Sequence, residues 1–273
     1  MSDPRVSTFE AGGGGLRLLG RHPNLAASSG ALPEGAYTTF RTYGARRVVR
    51  LGQHLRRLEE TAALQGRPGA VDPAAARRAV AEALEAAQGP ESRVRLTFAP
   101  PRLFVALEPF SPLPERFYRE GVACVTLDLQ RDNPHAKDTR FIATAQDAYG
   151  RLPPGVEEGL MVGPDGAVLE GLSSNFFAVL DGTLRTEEER VLVGVTRSLV
   201  LEVAAGLMPV DRRAVRRDDL PRIDEAFVTS VSREILPVVE IDGRPVGDGR
   251  VGARTRALLE AFGDLVRREA ELL

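Results

Sequence analysis

The chain is broken into short strand-length runs joined by tight turns, and this narrows its fold more than any other feature. Arg93 to Phe98 and Leu103 to Leu107 read as two strands meeting at Pro100-Pro101. Asn175 to Leu180 and Thr183 to Arg185 form a hairpin through Asp181-Gly182, and Val238 to Val246 one through Asp242-Gly243. Tyr37 to Tyr43 and Arg46 to Leu51 suggest a further hairpin around Gly44. Single strands are expected at Val122 to Leu129, Gly159 to Gly163, Ala167 to Glu170 and Ala226 to Thr229. Between them lie segments of helical period. Gln53 to Leu64 carries Leu55, Leu58, Ala62 and Ala63 on one side, and Asp72-Pro73 opens a helix to about Ala87. Thr196 to Leu207 is another, and Val251 to Leu273 closes the chain with Ala257, Leu258, Ala261, Phe262, Leu265 and Val266 on one face. Hairpins mixed with helices imply an α+β fold with antiparallel or mixed sheets, not a doubly wound parallel sheet.

Pro109 to Pro114 is proline-rich and has no helical period. It is the expected linker (109–114) between a small N-terminal domain (1–108) and a larger C-terminal domain (115–273). Ala11 to Gly15 reads as a loose tail or loop, and no GK[ST] follows to make it a phosphate loop.

A net charge of −2 gives no general attraction to nucleic acid or to an anionic membrane. No apolar run of membrane-spanning length is present, and no secretory signal pattern opens the chain. The lone Cys124 has no partner for an internal disulfide, which suits a cytoplasmic location, and its apolar strand suggests a buried structural thiol. His22, His54 and His135 lack metal-ligand spacing, so no metal site is expected.

Lysine occurs once, at position 137, so 35 of the 36 basic Lys and Arg residues are arginine. A GC-rich coding bias would give the same excess, with Lys137 a survivor. Arginine replaces lysine in ion pairs and phosphate clamps, but its guanidinium cannot serve as an amine nucleophile. Lys137 lies in RDNPHAKDTRF, between the Val122 to Leu129 strand and a helix carrying Phe141, Ile142, Ala145 and Tyr149. Asn133-Pro134 marks the end of the strand, and Asp138 or Thr139 can cap the helix. A side chain at such a junction can project into a cleft.

Three further segments belong in the argument: His54-Leu-Arg-Arg-Leu58, Leu169-Glu-Gly-Leu-Ser-Ser-Asn-Phe-Phe177, and Gly194-Val-Thr-Arg197 with Thr229 to Pro237. Taken singly, Arg57 reads as a surface arginine, Glu170 as a solvated strand-end carboxylate, Thr196 as an N-cap, and Ser230 and Ser232 as turn formers. Taken together and in order, the segments resemble the fold-type IV pyridoxal 5'-phosphate (PLP) enzymes. That family includes branched-chain and D-amino-acid aminotransferases, (R)-selective amine transaminases and aminodeoxychorismate lyase. The likeness runs from about Gly35 to Gly249 and rests on EGLSSNFFAVLDGTLRT, VLVGVTR and EAFVTSVSREILPVVEIDG.

The resemblance implies a two-domain fold with a barrel-like sheet in the larger domain, and a homodimer whose pockets are completed by the partner. Phe104, Val105 and Leu107 are either a face for that partner or part of the small domain's own core. By the same likeness, Lys137 would hold PLP as an internal aldimine, Glu170 would pair with the ring nitrogen, and Arg57 would clamp the phosphate. The Val195 and Thr196 amides at a helix start, and Ser230, Val231 and Ser232 on a second loop, would complete the phosphate site. Val231 stands where many members have a phosphate-binding threonine. Ile142 replaces the tyrosine usual in branched-chain enzymes, Arg140 an asparagine found in D-amino-acid and lyase members, and TFAPPRLFV lacks the R-P-x-x-H carboxylate trap of D-amino-acid enzymes. Arg41, Arg102 and Arg140 are the candidates for a substrate carboxylate. The expected activity is transfer of an amino group between an amino acid, branched-chain L- or D-, and a 2-oxo acid. The alternative is elimination of pyruvate from aminodeoxychorismate.

Overall fold

The structure is a computed structural model that describes residues 5–87 and 89–273. The chain divides into two compact units: residues 1–111 with 136–143 and 269–273, and residues 112–135 with 144–268. The first crossing, after Ser111, falls inside the proline-rich stretch. The segment around Lys137 packs with the first unit, although it follows the first strand of the second.

The first unit contains β1 (Val6–Gly12), β2 (Gly15–His22), α1 (Leu25–Gly30), β3 (Ala36–Arg41), β4 (Arg47–Val48), α2 (Leu51–Leu64), α3 (Pro73–Ala87), β5 (Ser92–Ala99) and β6 (Arg102–Pro109). Five strands form an antiparallel sheet in the order β2-β1-β6-β5-β3. The glycine run is therefore no loose tail: it is the turn of the β1–β2 hairpin, with Gly15 at positive φ. The hairpin expected around Gly44 reduces to one Tyr43–Arg47 bridge, because β3 pairs with β5 instead. Val94, Leu96 and Phe98 alternate inward from β5 onto Leu51, Leu55, Leu58 and Ala62 of α2. Ala63, expected on that face, is exposed. Phe104, Val105 and Leu107 are buried within this unit, so they fill its own core and leave no apolar face there for a partner.

The second unit contains α4 (Glu115–Glu120), β7 (Val122–Leu127), most of α5 (Arg140–Tyr149), β8 (Val156–Val162), β9 (Val168–Gly171), β10 (Asn175–Leu180), β11 (Thr183–Arg185), α6 (Val195–Ala204), β12 (Val210–Asp211), β13 (Glu225–Ser230), β14 (Glu234–Ile241), β15 (Arg244–Pro245) and α7 (Ala253–Glu269). Its mixed sheet runs β10-β13-β14-β7-β8-β9 and closes when β9 pairs with β10 at Glu170 and Asn175. The ring has no free edge. Val122, Leu160, Phe176, Val228, Leu236 and Val238 belong to its core. The chain ends in β16 (Glu271–Leu272), which pairs with β4, so the final helix stops short of Leu273. No helix among the described residues is long and apolar enough to cross a membrane.

Candidate functional site

In the first unit, residues around Lys137 extend the sheet beyond β3. The Tyr37 amide donates to the Lys137 carbonyl at 2.9 Å, and the Thr139 amide to the Gly35 carbonyl at 3.1 Å. The Gly35 amide returns a bond to Thr139 Oγ1 at 3.1 Å. Glycine is needed at 35 because a Cβ there would stand 2.4 Å from the Phe98 carbonyl oxygen. The Lys137 amide donates to Thr61 Oγ1 on α2 at 3.2 Å. Asp138 caps α5, accepting from the Arg140 amide at 2.8 Å. Lys137 Nζ lies 4.8 Å from the centre of the Tyr37 ring.

His54, Arg57 and Thr61 occupy one stripe of α2 and are all buried. Arg57 is thus no surface arginine. Its Nη2 donates to Thr38 Oγ1 at 2.6 Å, and the Thr38 hydroxyl shares a hydrogen bond with His54 Nδ1 at 2.7 Å. His54 is held as a neutral ring. Burial, reinforced by the positive charges of Arg57 and Lys137, holds its pKa well below the usual histidine value.

Arg95 was not singled out by sequence, yet it lies in this neighbourhood. It faces Thr39 across the β3–β5 ladder, and its guanidinium lies 4.8 Å from the same Tyr37 ring. It donates to Thr39 Oγ1, the Leu25 carbonyl and Ser29 Oγ, all uncharged. Burial lowers its pKa from the ordinary arginine value. The sequence signal was Arg93, Arg95 and Thr97 alternating on one face of β5. The three expected substrate arginines each hold a carboxylate: Arg41 that of Glu91 at 2.7 Å, Arg102 that of Glu10 at 2.6 Å, and Arg140 that of Asp138.

In the second unit, Glu170 is buried at the closing rung of the barrel, not solvated at a strand end. Arg131 Nε donates to its Oε1 at 2.8 Å, and Asn175 Nδ2 and the Leu192 amide approach Oε2 at 3.3 Å. Arg131 stands six residues before Lys137 and was assigned no role. Its partner lies 39 residues away in the chain, and no local pattern reveals it. Asn175 also donates to the Leu192 carbonyl at 2.7 Å, fixing the segment that leads into α6. Gly194, not Thr196, is the N-cap of α6, which leaves the Val195 and Thr196 amides in its first turn. Arg197 is buried and donates to the Glu187 carbonyl and to Glu188, a structural role. Thr229 sits opposite Asn175, and its buried hydroxyl has no partner among the described residues. Ser230, Val231 and Ser232 follow in the β13–β14 turn and are part-exposed.

Residues 35–241 match the amino-transferase class IV family. The chain belongs to that family. It is 40% identical over 166 residues to a branched-chain-amino-acid aminotransferase of Pseudomonas aeruginosa, covering 58% of this chain and 54% of that protein. A D-alanine aminotransferase of Staphylococcus aureus is 40% identical over 98 residues, 35% of each chain. The chain spans about half the length, or less, of these curated relatives. Among solved structures, the branched-chain aminotransferase of the archaeon Thermoproteus uzoniensis with norvaline has a TM-score of 0.76 at 26% identity, covering 96% of this chain and 95% of that one. The T.th. branched-chain amino acid aminotransferase with pyridoxamine 5'-phosphate has a TM-score of 0.82 at 22% identity, covering 98% and 96%, and shares the fold.

Proposed function

We propose that the protein is a PLP-dependent aminotransferase that moves an amino group between an amino acid and a 2-oxo acid. The observation that carries this reading is the only lysine, tied through its backbone to Tyr37 and Thr61 with its amine against an aromatic ring. The second unit fits the group as well. Thr229, opposite Asn175 on the β10–β13 ladder, has an orphaned buried hydroxyl, and any side chain at Gly194 would fill the space at the α6 start, with a Cβ 2.3 Å from Asn175 Oδ1.

Bound PLP supplies an aldehyde carbon for an amine and a ring that draws electrons from the substrate's α-carbon. Lys137 Nζ would hold the cofactor and would move the proton at that α-carbon. Glu170, oriented by Arg131 and Asn175, holds the proton at the ring nitrogen. Arg57 clamps the phosphate, as do the Val195 and Thr196 amides and the Ser230–Ser232 turn. Arg95 takes the substrate carboxylate, since Arg41, Arg102 and Arg140 already hold acidic partners.

Branched-chain L- or D-amino acids are the proposed donors, in line with the names of the relatives. Those names also favour transamination over aminodeoxychorismate elimination. A cytoplasmic homodimer completes the proposal.

A panel of L- and D-amino acids tests it. A good donor should shift the cofactor absorbance toward the ultraviolet, and a 2-oxo acid should restore it. Pyruvate release from aminodeoxychorismate, with no shift for any amino acid, would favour the lyase reading instead.

A further inference from the structure

The β13–β14 turn, Val231 to Arg233, is held by a network centred on Arg233, which the proposed reaction gives no role. Arg233 donates twice to Ser230 Oγ, from its amide at 3.2 Å and from Nε at 3.3 Å. Its Nη2 donates to Glu158 Oε2 at 2.6 Å and Ser173 Oγ at 2.9 Å. Glu158 is wholly buried and also accepts from Tyr149 at 2.6 Å, Ser174 at 2.8 Å and the Gly159 amide at 3.1 Å. This network stiffens a turn that is strained where β14 begins, because Glu234 adopts the left-handed conformation at φ 54°.

A serine oxygen accepts two hydrogen bonds and donates one. Arg233 fills both accepting positions of Ser230, so the Ser230 hydrogen must point away from Arg233. Beside it, Val231 offers no hydroxyl at all. Resting on the PLP reading above, we propose that Arg233 is a positioning residue that presents Ser230 as a hydrogen-bond donor to the cofactor phosphate, replacing the hydroxyl that Val231 lacks. Arg233 itself stays engaged with Glu158 and Ser173.

The test compares dissociation constants for PLP and for pyridoxal, which lacks the phosphate, using the full chain. Arg233→Ala and Ser230→Ala should each weaken PLP about tenfold or more, the range of a hydrogen bond to a charged group, and leave pyridoxal unchanged. The double variant should lose no more than either single, because the two act as one unit. Arg233→Ala leaves Glu158 buried without its cation, so Arg233→Met with Glu158→Gln serves as a second variant if the first does not fold. It should show the same selective loss. Unchanged PLP affinity, equal weakening of PLP and pyridoxal, or multiplying losses in the double variant would each overturn the proposal. A wild-type chain that binds neither ligand would overturn the PLP reading along with it.

Discussion

His54 stays neutral in the folded chain while an unfolded histidine titrates near 6.5. Above that pH both states are neutral and the residue adds no pH dependence. Below it the unfolded chain takes up a proton that the folded chain refuses, so stability falls as pH drops. The slope reaches about 1.4 kcal/mol per pH unit for one proton. Melting temperatures between pH 6.5 and 5.5 should show this decline in the wild type and a flatter profile in His54→Asn, whose amide can still bond with Thr38. Parallel profiles would mean that another group is responsible. At this scale the sequence singled out the residues whose chemistry is scarce or whose motif is long, Lys137, Arg57, Glu170 and Thr196, and these remain proposals. Arg131, Arg95 and Arg233 were not singled out, because an arginine in a chain with 35 of them carries no signal until its partner is known.

At the scale of elements, Gly194 is a close fit at the start of α6. A Cβ there would press on Asn175, whose amide holds both the Leu192 carbonyl and Glu170. Gly194→Ala should destabilise the protein by about 1–3 kcal/mol, the usual range for overpacking, and weaken PLP binding with it. A variant with wild-type melting and PLP titration would show that the α6 start tolerates movement. Hairpins were read correctly where the turn chemistry is local. Asp181-Gly182 and Asp242-Gly243 both place two consecutive residues at positive φ, as a two-residue hairpin loop requires. The β1–β2 hairpin was missed because four glycines specify no single turn. The β3–β4 pairing was misjudged because β5, distant in sequence, takes the same edge of β3. Closure of the barrel at Glu170 and Asn175 is likewise a non-local pairing.

For the whole molecule, the proposed homodimer needs an interface that the expected apolar face does not supply. Phe104, Val105 and Leu107 are taken up by the first unit's own core, so a partner must bind elsewhere. Light scattering at micromolar concentration should give twice the mass of one chain. A fully active single-chain species would remove the partner from any role in the pocket. The central claim is that Lys137 holds PLP, and the presence of only one lysine makes it unusually direct to test. The protein would be loaded with PLP, reduced with borohydride to fix any carbon–nitrogen double bond, digested, and its peptides identified by mass spectrometry. The account predicts a phosphopyridoxyl group on Lys137. Unmodified Lys137, with no label or with label only on another amine, would contradict it.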